Sequence, residues 1–214
     1  MIMTNMTILL VKRSAPPGFI IRLLRMLFHI DQTDELTPEQ EADLVTSAAR
    51  DPQAFDELYR RYVDRVYAYH LVRTDSREEA EDLTSQTFLA ALEGLPGYRR
   101  QGNFTVWLFS IARRKLVDHY RRPAPLPLDM VENLNGMLED DVDHKLRLDA
   151  INRTLQTMDP ERVEALSLRV YGQLSSAEIA RLLSRSEGAV RNLVYRALQD
   201  LRKSLVPGYE MEEK

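Results

Sequence analysis

The stretch from Gly97 to Arg122 holds the chain's single tryptophan, Trp107, and seven basic residues against one acid, Asp118. Guanidinium and ammonium groups track phosphates while flat rings stack on bases, so this mixture suits a nucleic-acid strand. It also suits an ordinary amphipathic helix with a solvated basic face. A second basic concentration comprises Arg181, Arg185, Arg191, Arg196, Arg202 and Lys203. Enzymatic chemistry finds less support. His29, His70, His119 and His144 show no metal-ligand spacing, and Asp118-His119-Tyr120 is an isolated adjacency at a helix end. The many carboxylates read as helix caps and solvated faces, not as an acid–base pair. The expectation is no catalytic residue, no cofactor and no metal. With no cysteine in the chain, disulfides, thiolate metal sites and cysteine nucleophiles are excluded, and a reducing cytoplasm is a suitable compartment.

The elements that must position these residues are helical. Glycine is sparse, charge is abundant, strand-like alternation is absent, and 214 residues can build one or two domains with cores of their own. The fold class expected is all-α. Net charge is −4, but it is unevenly spread. Sixteen acids face six bases from Asp31 to Gly94, whereas seven bases face one acid from Leu95 to Arg122. From Pro123 to Leu148 six acids face two bases, and from Asp149 to Val206 nine bases face seven acids. Local patches set the field a ligand meets, so two basic islands stand between acidic flanks.

Residues 1–37 form an N-terminal extension with Lys12, Arg13, Arg22 and Arg25 and an apolar run from Phe19 to Ile30. That run falls short of the about 20 apolar residues a membrane span needs, so stable membrane insertion is not expected. It reads as a surface-seeking helix, as a partner-binding or disordered arm, or as residues upstream of a later start at Met3, Met6 or Met26. Thr37-Pro38-Glu39-Gln40, Asp51-Pro52 and Ser76-Arg77-Glu78-Glu79 each mark a helix start. Behind them, Phe55, Leu58, Tyr62, Val66 and Tyr69 form one inner stripe. Ala80, Leu83, Thr84, Thr87, Phe88 and Ala91 form another, and Leu95-Pro96-Gly97 breaks that helix. Asn103 caps the next helix, whose inner stripe is Phe104, Trp107, Leu108, Ile111, Ala112, Leu116 and Tyr120. In it Phe104 and Trp107 serve as part-buried anchors.

Pro123-Ala-Pro-Leu-Pro opens a linker read as 123–148, which is flexible and acidic. A second helical unit covers 149–206, with a tail at 207–214. Asp159-Pro160-Glu161 caps a helix through Val170, and Ser175 with Glu178 caps one through Leu183. A turn at Ser184-Arg185-Ser186 leads to a last helix from Glu187 to about Leu205. Ala180 is small where these two helices cross, Ile179 and Leu183 face inward, and Val190, Leu193 or Val194, Ala197 and Leu201 continue the core. A small residue at the crossing, a short turn and a basic second helix spell a DNA-binding helix-turn-helix. A plain helical hairpin is the simpler alternative.

Three ordered segments carry a family resemblance: Ala80-Glu-Asp-Leu-Thr-Ser-Gln-Thr-Phe-Leu, Phe104-Thr-Val-Trp-Leu-Phe-Ser-Ile-Ala-Arg-Arg, and Ser176-Ala-Glu-Ile-Ala followed by Ser186-Glu-Gly-Ala-Val-Arg. Over roughly residues 40 to 205 the chain resembles the small two-domain extracytoplasmic-function class of sigma-70 RNA polymerase sigma factors. The resemblance implies that residues 38–122 are region 2, which docks on the clamp of the polymerase large subunit and melts the −10 element. It implies that 149–206 is region 4, which meets the polymerase flap and reads the −35 element. Glu81, Asp82, Ser85 and Gln86 are then the polymerase-docking candidates, with Ser85-Gln86 standing where family members often carry Gln-Glu. Tyr98, Arg99, Arg100 and Asn103 belong to a loop that receives an unstacked base of single-stranded −10 DNA, with Arg113 and Arg114 along the strand's path. Arg185, Ser186, Glu187, Arg191, Asn192, Tyr195 and Arg196 form the candidate surface for double-stranded −35 DNA, with Arg191 foremost. Ala189, Leu193 and Leu198 depart from common family residues, so a distinct −35 preference is expected.

The implied partners are core RNA polymerase, promoter DNA and an anti-sigma factor, and the implied compartment is the cytoplasm. A promoter spacer of about 17 base pairs spans roughly 58 Å, against a root-mean-square span near 28 Å for a flexible linker of about 26 residues. The two domains are therefore expected to reach both elements only when a scaffold holds them apart. In that linker Glu139-Asp140-Asp141 reads either as an occupant of the polymerase's basic RNA path or as a solvated spacer. The competing function is a stand-alone helix-turn-helix regulator with an N-terminal interaction domain, which would bind a palindromic operator without polymerase.

Overall fold

A computed structural model of the chain describes residues 36–74, 76–98, 103–121 and 142–205, with side chains described outside 142–149. The described residues form eight α-helices and one 3-10 turn, and no strand. The first domain comprises α1 (Pro38–Ala48), α2 (Pro52–Thr74), α3 (Arg77–Gly94), the 3-10 turn Leu95–Gly97 and α4 (Phe104–Arg121). The second comprises α5 (Val142–Thr157), α6 (Pro160–Val170), α7 (Ser176–Leu183) and α8 (Glu187–Leu205). Most of the N-terminal extension, the first part of the linker, and the tail lie outside the described residues.

Polar side chains start these helices where the sequence places them. Thr37 N–H donates to Gln40 Oε1 at 2.8 Å while Thr37 Oγ1 accepts from Gln40 N–H, closing a reciprocal box. Asp159 accepts from the N–H groups of Glu161 and Arg162, and Ser175 and Glu178 close a second box. Ser76 accepts from Glu79 N–H, but no reciprocal bond forms there. The Glu79 carboxylate turns instead to His119 on α4, 3.4 Å away. An imidazole across the bundle has taken the place of the local backbone donor.

Helical periodicity sets the first core. Leu58, Tyr62, Val66 and Tyr69 of α2 are buried, as are Ala80, Leu83, Thr84, Thr87, Phe88 and Ala91 of α3. On α4, Phe104, Leu108, Ala112 and Leu116 are buried while Trp107 and Ile111 are half-buried. Two residues of this helix depart from the expected stripe. Phe109, outside it, is fully buried, edge-on to Tyr69 at 5.6 Å between centroids. Tyr120, inside it, is 57% exposed, its hydroxyl donating to the Arg73 carbonyl and its ring edge-on to that of His119 at 5.4 Å. Phe109 is buried because α4 packs on α2 as well as on α1 and α3, and it also meets α7 of the second domain.

In the second domain Ile151, Val163, Leu168, Leu174, Ile179, Val190, Ala197 and Leu201 form the core. The turn between α7 and α8 is made by Ser184, which adopts the left-handed conformation (φ 54°, ψ 45°), and Arg185 N–H reaches back to the Ala180 carbonyl at 2.9 Å. One boundary shifts: α5 begins at Val142, inside the segment read as linker. Ile151 and Leu155 are buried, α5 packs on α8, and Ser204 Oγ donates to the Ala150 carbonyl, contacts that a linker reading could not foresee.

The domains also touch each other. Helices α2 and α4 of the first meet α6 and α7 of the second, and the two cores are continuous. In the free chain the two domains are packed together, not held apart at promoter spacing.

Candidate nucleic-acid interface

The loop residue Tyr98 is held in an aromatic corner. Its ring lies 4.9 Å from that of Trp107 and 6.0 Å, edge-on, from that of Phe104. Trp107 in turn covers the end of α3, where a Cβ on Gly94 would come within 3.1 Å of the indole. Burial and then Glu41 raise the Tyr98 phenol above its usual range, which keeps it a donor. Asn103 caps α4, with Oδ1 accepting Thr105 N–H at 2.9 Å, and its amide donates to Glu178 of the second domain at 3.2 Å. Arg113 is partly exposed, with Nε 3.5 Å from Glu164 Oε1, and Arg114 is exposed. Arg99 and Arg100 lie outside the described residues.

Glu164 organises the meeting of the two domains. It projects from α6 and is 8% exposed. Arg73 pairs with its Oε2 at 2.7 Å, the Tyr69 hydroxyl donates to its Oε1 at 2.9 Å, and Arg113 approaches Oε1 as well. Burial, and next the Glu164 charge, hold the Tyr69 phenol far above its ordinary value, so it remains a donor. One turn earlier on α2, Arg65 donates to the Tyr171 and Gly172 carbonyls, each at 2.8 Å, where α6 ends. Gly172 is required there, because a Cβ would sit 2.6 Å from the Leu168 carbonyl oxygen. Arg73 adds a bond to the Pro160 carbonyl at the start of α6. A cleft of about 290 Å³ lies beside this cluster, lined by Arg73, Arg113, Glu164, Arg185 and Leu193 among others.

Arg65, Arg73 and Glu164 were not singled out from sequence, and Tyr69 was read only as part of the inner stripe of α2. The signal was present: Arg65, Tyr69 and Arg73 recur every four residues, so they share one edge of α2 beside its apolar stripe. Glu164 falls among Val163, Ala165 and Leu166, all buried, which is an unusual place for an unpaired acid.

The helix-turn-helix presents a different surface. Arg191, Asn192, Tyr195 and Arg196 are all exposed along α8, Tyr195 by 54%. Ser186 Oγ accepts Ala189 N–H at 3.2 Å and so caps α8, while Glu187 lies 3.6 Å from Arg191 within the same helix. Arg185, in the turn, is drawn away from this face to Glu161. On α3, Glu81, Asp82 and Ser85 are exposed and Gln86 donates to Asp82 at 2.7 Å. Leu89 and Leu92, 58% and 45% exposed, continue the Ser85 side of this helix. Their polar neighbours carry the stronger sequence signal on that face, although neither leucine belongs to the inner stripe. No group of acids and histidines able to hold a metal, and no helix long and apolar enough to cross a membrane, occurs among the described residues.

Residues 58–124 match the family model for sigma-70 region 2, and residues 148–201 match that for sigma-70 region 4. Over 183 residues the chain is 30% identical to the ECF RNA polymerase sigma factor SigE of Mycolicibacterium smegmatis, a match spanning 82% of this chain and 70% of SigE. The chain belongs to the ECF sigma-factor family. It is also 36% identical over 164 residues to the ECF RNA polymerase sigma factor BldN of Streptomyces coelicolor, a match spanning 73% of this chain and 62% of BldN. Among solved structures, CnrH in complex with the cytosolic domain of CnrY superposes with a TM-score of 0.55 at 25% identity, covering 74% of this chain and 92% of CnrH. In this sigma factor the Glu164 cluster therefore joins a region 2 helix pair to region 4.

Proposed function

We propose that this chain binds core RNA polymerase and directs promoter-specific initiation, with region 2 capturing the melted −10 strand and region 4 reading the −35 duplex. The observation that carries this reading is the ordered pair of matched regions, the second ending in a helix whose exposed side bears Arg191, Asn192, Tyr195 and Arg196. Guanidinium and amide groups on one helix face suit base edges in the major groove, and the flanking cations suit phosphates. In region 2, Tyr98, Arg99, Arg100 and Asn103 form the −10 loop and Arg113 and Arg114 border the strand's path. The exposed face of α3, with Glu81, Asp82, Ser85 and Gln86 joined by Leu89 and Leu92, docks on the polymerase clamp: apolar area supplies affinity and the acids supply orientation. The proposed domain limits are 38–122 and 149–206, with α5 contributing its last turns to the second.

The protein carries out no bond chemistry itself and works in the cytoplasm, where polymerase and chromosome are. CnrH is held in its structure by a second protein, and an anti-sigma factor is accordingly the third class of partner. The test is reconstitution. Purified protein with core polymerase on genomic fragments is expected to give discrete run-off transcripts that neither component gives alone. Absence of protein-dependent starts, or tight palindromic operator binding without polymerase, would refute the reading.

A further inference from the structure

The aromatic corner that holds Tyr98 extends one ring deeper, to buried Tyr62 of α2, which stands edge-on to Phe104 at 5.3 Å between centroids. The Tyr62 hydroxyl donates to the Glu41 carboxylate of α1 and lies 3.1 Å from Thr105 Oγ1. A phenol has one proton to give, so with that proton on Glu41 the Thr105 hydroxyl is the donor to Tyr62. Burial, and next the Glu41 charge, hold the Tyr62 phenol far above its ordinary value, which keeps that proton in place. Thr105 N–H in turn donates to Asn103 Oδ1 at 2.9 Å. One line of hydrogen bonds therefore runs from Glu41 through Tyr62 and Thr105 to Asn103, the residue at which the loop from Tyr98 meets α4. The helix that carries Glu41 buries Val45 and Ala48 and packs on α2, on the 3-10 turn before Tyr98 and on α4. An acid in the first turn of a helix needs no partner beyond the helix dipole, and exposed Glu39 meets that need. Glu41 differs from it in being half-buried and engaged across the bundle.

We propose that Glu41 is a positioning residue for −10 readout: through Tyr62 and Thr105 it fixes the cap of α4, and with it the loop that presents Tyr98 and Asn103 to an unstacked base. The inference rests on the assignment of that loop to the −10 strand. Glu41 itself touches no DNA. Bases are told apart by where donors, acceptors and ring faces stand, so the groups that meet the base need a second layer that holds them still. A loop anchored less firmly still meets the strand but discriminates less between bases. The relay thus couples α1, which no DNA contact requires, to the selectivity of the −10 element.

The experiment uses the full chain with core polymerase on a barcoded promoter library randomised across the −10 element. Glu41→Ala removes the acceptor, Tyr62→Phe removes the donor and keeps the ring, and Glu41→Gln keeps an oxygen able to accept. Glu41→Ala and Tyr62→Phe are each expected to reduce the preference for the favoured −10 base by about three- to tenfold, the range one net hydrogen bond supports. The double variant is expected to fall no further than either single one, since both break the same line. Glu41→Gln is expected to retain most of the preference, and polymerase affinity is expected to be unchanged throughout. Trp107, the chain's single tryptophan, reads the corner directly because Tyr98 packs on its indole. Its emission is expected to move in Glu41→Ala and Tyr62→Phe and to stay near the parent's in Glu41→Gln, with circular dichroism confirming helix content. Lower thermal stability in Glu41→Ala with an unaltered −10 preference would reduce Glu41 to a staple between α1 and α2 and overturn the inference. Losses that simply add in the double variant would overturn it too. Tyr98→Ala separates the two kinds of failure. If it changes the preference and Glu41→Ala does not, the positioning role falls and the loop assignment stands; if neither does, the loop assignment falls and the positioning role with it.

Discussion

In region 2, two of the residues proposed for the strand path lie against the other domain: the Asn103 amide donates to Glu178, and Arg113 Nε stands 3.5 Å from Glu164 Oε1. In region 4, Arg191, Asn192, Tyr195 and Arg196 stand exposed on α8, and Arg191 lies 3.6 Å from its own helix neighbour Glu187. In the proposed reading, the contrast follows from what each surface binds. A duplex is regular and always present, so a rigid exposed helix can wait for it. A melted strand exists only where polymerase has opened DNA, and a basic edge left free would gather any single strand in the cell. The same comparison predicts that the two surfaces respond differently to perturbation.

The largest effect is expected from Phe109→Ala. Phe109 is fully buried against Tyr69, and the Arg65 guanidinium lies 5.9 Å above its ring, so this one side chain supports both the region 2 core and the groups that hold region 4. The loss is expected to be about 3–5 kcal/mol. Thermal unfolding followed by circular dichroism should split into two transitions, with the region 4 core of Ile179, Val190 and Leu201 melting separately. A single transition displaced as a whole would show that the two regions form one cooperative unit and would dissolve the contrast.

Arg191→Ala probes the exposed side. Its contact partner is a surface residue, so removal should leave folding and polymerase binding unaltered while weakening −35-dependent promoters by about 1–3 kcal/mol. Run-off transcription on promoters with and without a −35 element, alongside a polymerase-binding assay, measures both. Loss of polymerase binding would reassign the face.

How much of this was legible beforehand divides along the same line. The helix-turn-helix is written locally: Ser175 and Glu178 close a cap, Ser184 and Ser186 bound the turn, and apolar residues recur three and four apart from Ile179 to Leu201. Each signal lies within one turn of its partner, so sequence spacing captures it. The interdomain contacts join residues such as Arg65 and Gly172, or Tyr69 and Glu164, which no local rule relates. Phe109 was missed for the same reason, since its burial needs a second layer that periodicity cannot announce. Leu89 and Leu92 were legible as outward-facing but not as a patch, because charged and polar neighbours dominate that face in sequence. The start of α5 at Val142 escaped because proline and acids upstream masked the stripe that Ile151 and Leu155 continue.

The smallest expected effect tests whether region 2 also carries an acid-sensitive core. His70 is fully buried, and its Nε2 lies 3.1 Å from Thr87 Oγ1. The Thr87 hydroxyl already donates to the Leu83 carbonyl at 2.7 Å, so it can only accept from the ring, which places the proton on Nε2 and leaves Nδ1 bare. Burial first, and then the charge of His119, push the His70 pKa down to about 3. A histidine held neutral in the fold but free to protonate in the unfolded chain draws protons toward unfolding. Its contribution is therefore lost as pH falls below about 6.5, and the loss continues down to about 3. Between pH 7.5 and pH 5.5 this amounts to about 1.4 kcal/mol. Denaturant titrations at the two pH values should show that His70→Leu removes about this much of the acid loss from the region 2 transition, while Glu164→Gln leaves it in place. An undiminished acid loss in His70→Leu would move the sensitivity to another group and leave the two regions alike in this respect.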